Sequence, residues 1–431
     1  MNELERTDTK VERRTGVEPM RIIQVPIGSA RMPPKEGGAP LQVIFHTSRH
    51  LAKMGHEVVI LDSRYSPEDA AVEYVDELKI VRVNFRKVPA PESLKMPRYL
   101  HFALNELNTL LFTLKASRYL TKNSQDIDVI HLHATSVGII LSLLNRKLRG
   151  KMFYTSHLGQ WILRGTRELS ILERIHIFLD SCLMRRVARV IALNDLAKES
   201  FISIGKVNPK KVVVVHNGVD TEFFTPTIGV EETRKKYDLE GKFTVLFVGH
   251  LGKIKGVEYL VKAAHIIINE SGYKDTLFLL VGPLTFGTLE KPIHMEEMRH
   301  YLRQHRLERS ILFTGSLPLE GVRMLYAASD IFVLPSLAEG DPLVVVEAMA
   351  SGKPIIGTKV GGIPHKVRDG WNGFLIDPGD EQQLADKIKY LIDNPEERKM
   401  MGANSRRYAE EEFDWRKVAE LMVMVYQSII Q

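Results

Sequence analysis

The chain has 431 residues, which exceeds one ordinary domain and suits two. Hydrophobic residues make up 44% and charged residues 26%, which excludes a disordered chain. The formal charge of +6 is uneven: residues 21–210 carry 28 Lys+Arg against 17 Asp+Glu, while residues 211–431 carry 27 against 31. A basic first half suits an anionic partner, either a nucleic acid, an anionic lipid surface or a phosphorylated small molecule; surplus surface charge is the plainer explanation. The single cysteine, Cys182, rules out an internal disulfide framework. No apolar run approaches the roughly 20 residues that span a bilayer. Both features fit a cytoplasmic protein.

Met1 to Pro19 is polar and charged without an apolar stretch, so residues 1–19 read as a mobile N-terminal extension rather than a signal peptide. Strand-like runs then alternate with helical spacing: Arg21–Val25, Val58–Leu61, Asp128–Leu132, Val187–Ala192, Val212–Val215, Thr244–Val248, Leu277–Val281, Ile331–Leu334 and Pro354–Gly357. Runs that are apolar throughout suit parallel sheets covered on both faces. The order predicts an α/β protein of two doubly wound, Rossmann-like domains facing across a cleft. The pattern restarts near Phe243, after a turn-rich stretch from Asn217 to about Gly241 that has little strand character. The predicted domains are 20–220 and 221–412, with 413–431 as a C-terminal helix packing back on the first domain.

In the first half, Arg98 to Lys122 reads as a helix whose Leu100, Leu104, Leu107, Leu111 and Leu114 form a core stripe. Lys115, Arg118 and Lys122 share another face. Asp126-Ile127-Asp128 precedes its strand, where a nucleotide-sugar metal motif should follow one, and is given little weight. His131 and His133 lie two apart and share a strand face, yet no third ligand is near, so they read as structural and no metal is expected. Phe153-Tyr154-Thr155-Ser156-His157 reads as a strand emptying into a loop, which places His157 where α/β folds bind ligands.

The most informative stretch is Glu339-Gly340-Asp341-Pro342-Leu343-Val344-Val345-Val346-Glu347-Ala348-Met349-Ala350-Ser351-Gly352-Lys353-Pro354. Pro342 suits the first position of a helix and Asp341 its N-cap. Gly352 and Pro354 would end that helix about three turns later. Backbone N–H groups near Leu343 and Val344 would then form an anion site suited to a diphosphate. Glu339 and Glu347 could meet hydroxyl groups on either side. A plain capped helix with Glu347 in solvent is the alternative. Phe247-Val248-Gly249-His250-Leu251-Gly252-Lys253-Ile254-Lys255-Gly256-Val257 is a second strand, loop and helix start, with Lys255 able to neutralise a phosphate.

Together these elements resemble the family-4 retaining glycosyltransferases of the GT-B fold, from Met20 to the C-terminus. The resemblance rests on the two glutamates followed by Glu347-Ala348-Met349-Ala350-Ser351-Gly352-Lys353-Pro354, on Val360-Gly361-Gly362-Ile363-Pro364, on Asn217-Gly218-Val219-Asp220, and on Gly37-Gly38 after the first strand. It implies that Glu347 holds the donor ribose and Glu339 the transferred sugar. Lys255 would bind the leaving diphosphate, and Gly37 and Gly38 would let the backbone approach the donor. His157 would contact the donor sugar near the reacting carbon. Such an enzyme uses a UDP- or GDP-linked hexose of glucose or mannose type, needs no metal, and serves a hydroxyl acceptor that is a lipid or a phosphorylated molecule. Related enzymes acting on membrane lipids have basic, amphipathic first domains, which adds a peripheral contact at the inner face of the membrane as a hypothesis. Five positions, in three places, depart from the family pattern. His250 replaces the usual Arg, Asp341 and Pro342 replace an aromatic residue and a glycine, and His365-Lys366 replaces an acidic-apolar pair. A non-catalytic sugar-nucleotide or glycan binder of the same fold is the alternative. A dinucleotide oxidoreductase lacks its Gly-x-Gly-x-x-Gly turn here, and nucleic-acid binding lacks a reader motif.

Overall fold

The computed structural model describes residues 18–26, 31–34, 38–64, 66, 68–83, 98–157, 170–283 and 295–430. Two sheets organise it. The first contains β1 (Arg21–Val25), β2 (Glu57–Ser63), β3 (Val72–Val75), β4 (Leu78–Val83), β5 (Val129–Leu132), β6 (Met152–Thr155), β7 (Arg189–Ala192) and β8 (Val212–Val214). Their order is β3-β4-β2-β1-β5-β6-β7-β8, parallel except for β3, which pairs antiparallel with β4. The second sheet contains β9 (Phe243–Val248), β10 (Thr276–Val281), β11 (Ile311–Gly315), β12 (Ile331–Leu334), β13 (Ile355–Thr358) and β14 (Gly373–Ile376). Its order is β11-β10-β9-β12-β13-β14, all parallel.

Central strands such as β9, β10 and β12 are buried along nearly their whole length, as an apolar run covered by helices on both faces requires. The edge strands are different. β3 alternates between exposed and half-buried residues, and β11 is largely half-buried. Neither reads as a continuous apolar run, so both are silent in the sequence. In each sheet the order reverses beside the first strand: between β1 and β5, and between β9 and β12. Loops leaving the carboxyl ends of strands at such a reversal leave a crevice for a ligand.

The chain crosses between the sheets twice, and the crossings are stitched together. Val219 N–H donates to Phe413 O at 2.7 Å and Trp415 N–H donates to Val219 O at 3.1 Å. A Cβ on Gly218 would lie 2.6 Å from the Trp415 ring, so this approach needs glycine. Helix Trp415–Ile430 buries Trp415, Val418, Met422 and Tyr426 in one cluster with Ile22, Leu41 and Ile44 of the first domain. The stretch Asn217–Gly241 is not all turn, because Val230–Lys236 is a short helix within it.

Helix Arg98–Lys122 forms over the expected range but faces the other way. Its buried residues include Asn108, Phe112, Ala116 and Leu120, while Leu100, Leu107, Leu110 and Leu114 are exposed. Both sets recur at helical spacing, and the one containing Phe112 fills the core. Asp126 and Asp128 are structural. Asp128 accepts from Arg21 N–H at 2.7 Å, and Asp126 meets the Arg21 guanidinium at 3.4 Å, tying the starts of β1 and β5.

Candidate active site

The loops after β9 and β12 are joined at backbone level. Gly256 has φ +69°, and a Cβ there would lie 1.9 Å from Pro335 O, so any side chain would push the loops apart. Leu337 N–H donates to Ile254 O at 2.7 Å. This seam places Lys255, the last residue of a short 3-10 turn before helix Val257–His265, opposite Glu339. Lys255 Nζ donates to Glu339 Oε1 at 2.7 Å, and Ser336 Oγ donates to the same oxygen at 2.7 Å. Glu339 is buried and Lys255 partly open, so the ammonium is the more accessible partner. A third loop backs the site. Gly361 has φ +53°, and a Cβ on it would lie 2.0 Å from Glu339 O.

Helix Leu343–Ala350 begins one residue later than expected and runs about two turns rather than three. Pro342 is its N-cap, not its first residue. The first amides of a helix have no partner within it, and those of Leu343 and Val344, both half-buried, open the helix just beyond Glu339. Glu347 sits in the second turn and is half-buried rather than free in solvent. Its Oε2 accepts from Tyr326 Oη at 3.0 Å. Burial pushes the Glu347 carboxyl up to about 7, against the pull of the Tyr326 hydroxyl.

Asp341 does not cap the helix. Its side chain is fully buried, accepting from Lys366 Nζ and from Asn217 N–H at 2.5 Å. Burial would raise its pKa, but Lys366 and His216 outweigh it and hold the carboxyl below its usual range.

In the first domain His157 follows β6, with Nε2 3.1 Å from His133 Nδ1. His133 Nε2 meets Gln24 Oε1 at 2.8 Å, while His131 meets Tyr426 Oη and Thr155 Oγ1, both at 2.8 Å. All four ring nitrogens of His131 and His133 are thus engaged in hydrogen-bond contacts. Burial lowers His157 to about 4 and His131 to about 3, so both rings are neutral at pH 7. His250 is exposed on the loop after β9. Gly37 lies outside the described residues. Gly38 precedes helix Ala39–Lys53, and among the described residues a Cβ there would meet Pro40 Cδ at 3.6 Å, an ordinary contact.

The structure thus joins Lys255 directly to Glu339 and sets Glu347 on the adjoining helix, while His157 belongs to a separate network on the first domain. Sequence reasoning missed Ser336 and Tyr326, which orient the two glutamates. Neither stands in a spacing that signals a role.

A model of group 1 glycosyl transferases matches residues 229–408, and a model of glycosyltransferase family 4 matches residues 42–223. Spore coat protein SA of Bacillus subtilis is 33% identical over 251 residues, covering 56% of this chain and 65% of that one. D-inositol 3-phosphate glycosyltransferase of Corynebacterium urealyticum is 27% identical over 398 residues, covering 90% of this chain and 89% of that one. The structure of HepE from Anabaena in complex with UDP-glucose superposes with a TM-score of 0.70 at 19% identity, covering 95% of this chain and 100% of that one. With a family model on each half and two largely parallel sheets, the chain belongs to the group 1, family-4 glycosyltransferases of the GT-B fold.

Proposed function

We propose that this glycosyltransferase moves a hexose of glucose or mannose type from a UDP- or GDP-linked donor to a hydroxyl acceptor, with retention of anomeric configuration and without a metal ion. The observation that carries the reading is the Lys255–Glu339 pair at the reversal between β9 and β12. Lys255 would leave Glu339 for the donor diphosphate and stabilise charge as it departs, aided by the amides at Leu343 and Val344. Glu339 would then accept from hydroxyls of the sugar, and Glu347 from those of the ribose. Gly37 and Gly38 would admit the donor backbone-close, and neutral His157 would orient the sugar from the first domain. The departing diphosphate takes the acceptor proton on the same face, so no carboxylate nucleophile is needed. Support comes from the UDP-glucose bound by HepE and from the inositol phosphate in the name of the Corynebacterium relative, a phosphorylated hydroxyl acceptor. The test is incubation with UDP-glucose and GDP-mannose over an acceptor panel, with NMR of the product anomer. Transfer with an inverted anomer would overturn the stereochemical reading. Tight donor binding with no transfer to any acceptor would favour a binding protein.

One observation favours a peripheral, anionic-membrane contact for the same enzyme. Helix Thr135–Leu144 touches both Arg98–Lys122 and Ile171–Arg186. The three together expose Leu107, Leu110, Leu114, Leu143, Leu144, Ile171 at 77%, Leu172 at 72%, Ile175 and Phe178 at 62%. Lys115, Arg118 and Lys122 are exposed on the first of these helices. Apolar side chains rimmed by cations suit a headgroup layer of negative lipids. No helix among the described residues is long and apolar enough to cross a membrane. Pelleting with phosphatidylglycerol vesicles, lost at high salt and absent with phosphatidylcholine alone, is expected; indifference to lipid charge would remove the idea.

A further inference from the structure

Two of the three departures from the family pattern meet inside the protein. Asp341 stands where an aromatic residue is usual and Lys366 stands where an apolar one is common. Lys366 Nζ donates to Asp341 Oδ1 with both side chains wholly buried.

The pair sits where the domains join. Asp341 Oδ2 accepts from Asn217 N–H at 2.5 Å, and Asp341 O accepts from Asn217 Nδ2 at 2.7 Å, so Asn217, on the stretch that leaves β8, is held at two points. The neighbouring Gly340 O accepts from Asn194 Nδ2 at 2.8 Å, and Asn194 also caps helix Asp195–Ser203 of the first domain. His216 Nδ1 donates to Leu193 O at 2.9 Å and lies 3.6 Å from Asp341 Oδ1. Lys366 lies 5.3 Å from the Phe413 ring centroid, and Phe413 O receives the Val219 N–H of the other crossing. Both crossings therefore touch the same charge pair. Glu339 is two residues from Asp341, on a loop held from its other side by Gly361 and by Gly362 N–H to Gly340 O at 2.7 Å.

We propose that Asp341 and Lys366 form a pivot that fixes the Glu339 loop against the first domain, and so sets the orientation in which the two domains meet. They are positioning residues: neither is assigned a contact with substrate. This inference rests on the functional reading above for its effect on turnover, but not for its effect on domain geometry. The physical case is that a buried charge pair holds one geometry firmly. A pair of apolar residues fills the same space without directing it.

Three variants test it: Asp341→Asn, Lys366→Met and the double variant Asp341→Asn/Lys366→Met, whose amide oxygen still accepts from Asn217 N–H. Each single change leaves one buried charge unpaired, so both should lower Tm by several degrees. The double variant should recover most of that Tm. A plug that only fills space would recover turnover as well. The pivot predicts that the double variant stays at least 10-fold down in kcat, with donor KM within about 3-fold of native. It also predicts a larger radius of gyration by small-angle X-ray scattering, in both the free and the nucleotide-sugar-loaded protein. Recovery of kcat together with Tm, or scattering identical to native, would overturn it. If native protein transfers no sugar at all, the functional reading is what fails, and the scattering comparison still decides the pivot.

Discussion

Lys255 Nζ donates to Glu339 Oε1 at 2.7 Å across the seam between the loops that leave β9 and β12. The carboxylate already holds the Lys255 ammonium in place, so an arriving diphosphate exchanges one anion for another. Because Ser336 holds the same Glu339 oxygen at 2.7 Å, the carboxylate keeps its place when the lysine leaves. Glu339→Gln retains the shape and removes the charge. We expect kcat to fall by about 10²–10³-fold, the scale of losing one well-placed polar group at a reacting centre. Tm should move by less than about 3 °C. Steady-state kinetics beside calorimetry checks both; unchanged kcat removes Glu339 from the site.

Glu347 makes the site costly at high pH. Its carboxyl, raised to about 7 from 4.5, binds a proton more tightly folded than unfolded. The stabilisation from that proton is complete below pH 4.5 and is lost as pH rises to about 7, an effect of about 3 kcal/mol at most. Glu347→Gln should flatten this part of the profile, raise Tm at pH 8 relative to native, and abolish transfer. A Tm–pH series on both proteins checks the sign. A lower Tm for the variant at pH 8 contradicts it.

The buried histidines act in the opposite direction. His46 is lowered to about 4, His131 to about 3 and His157 to about 4, each chiefly by burial. Below about pH 6.5 the unfolded chain takes up protons that the folded chain refuses, so stability falls as pH drops toward 4. Native protein should lose Tm steeply below pH 6, and His157→Gln should lose it less steeply. The transfer rate should show no titration of His157 between pH 6 and 8, because the ring is already neutral there.

The orientation of helix Arg98–Lys122 is directly testable. Phe112 is fully buried and Leu114 is 41% exposed. Phe112→Ala should cost about 3–5 kcal/mol in chemical unfolding. Leu107→Ser and Leu114→Ser should each change stability by less than about 1 kcal/mol. The reverse ranking would restore the leucine stripe to the core.

That helix shows where sequence reading stops. Two apolar stripes at helical spacing compete for one core, and periodicity alone does not choose between Leu107 and Phe112. The parallel strands were legible because β9, β10 and β12 are unbroken apolar runs, whereas edge strands β3 and β11 are half-exposed and carry no such run. Order and spacing were enough to bring Lys255, Glu339 and Glu347 to neighbouring loops and one helix. Asp341 was misplaced as a helix cap because its true partners, Asn217 and Lys366, lie 124 and 25 residues away. Ser336 and Tyr326 act through a third dimension that local spacing does not encode.

Lys255 meeting a diphosphate is the contact on which the proposed transfer depends. Isothermal titration of UDP-glucose and GDP-mannose into native protein and into Lys255→Ala decides it. The prediction is that native protein binds one of the two, and that Lys255→Ala weakens that binding at least 30-fold while its Tm without ligand stays within a few degrees. Equal affinity in the two proteins, or a native protein that binds neither nucleotide-sugar, would contradict the account.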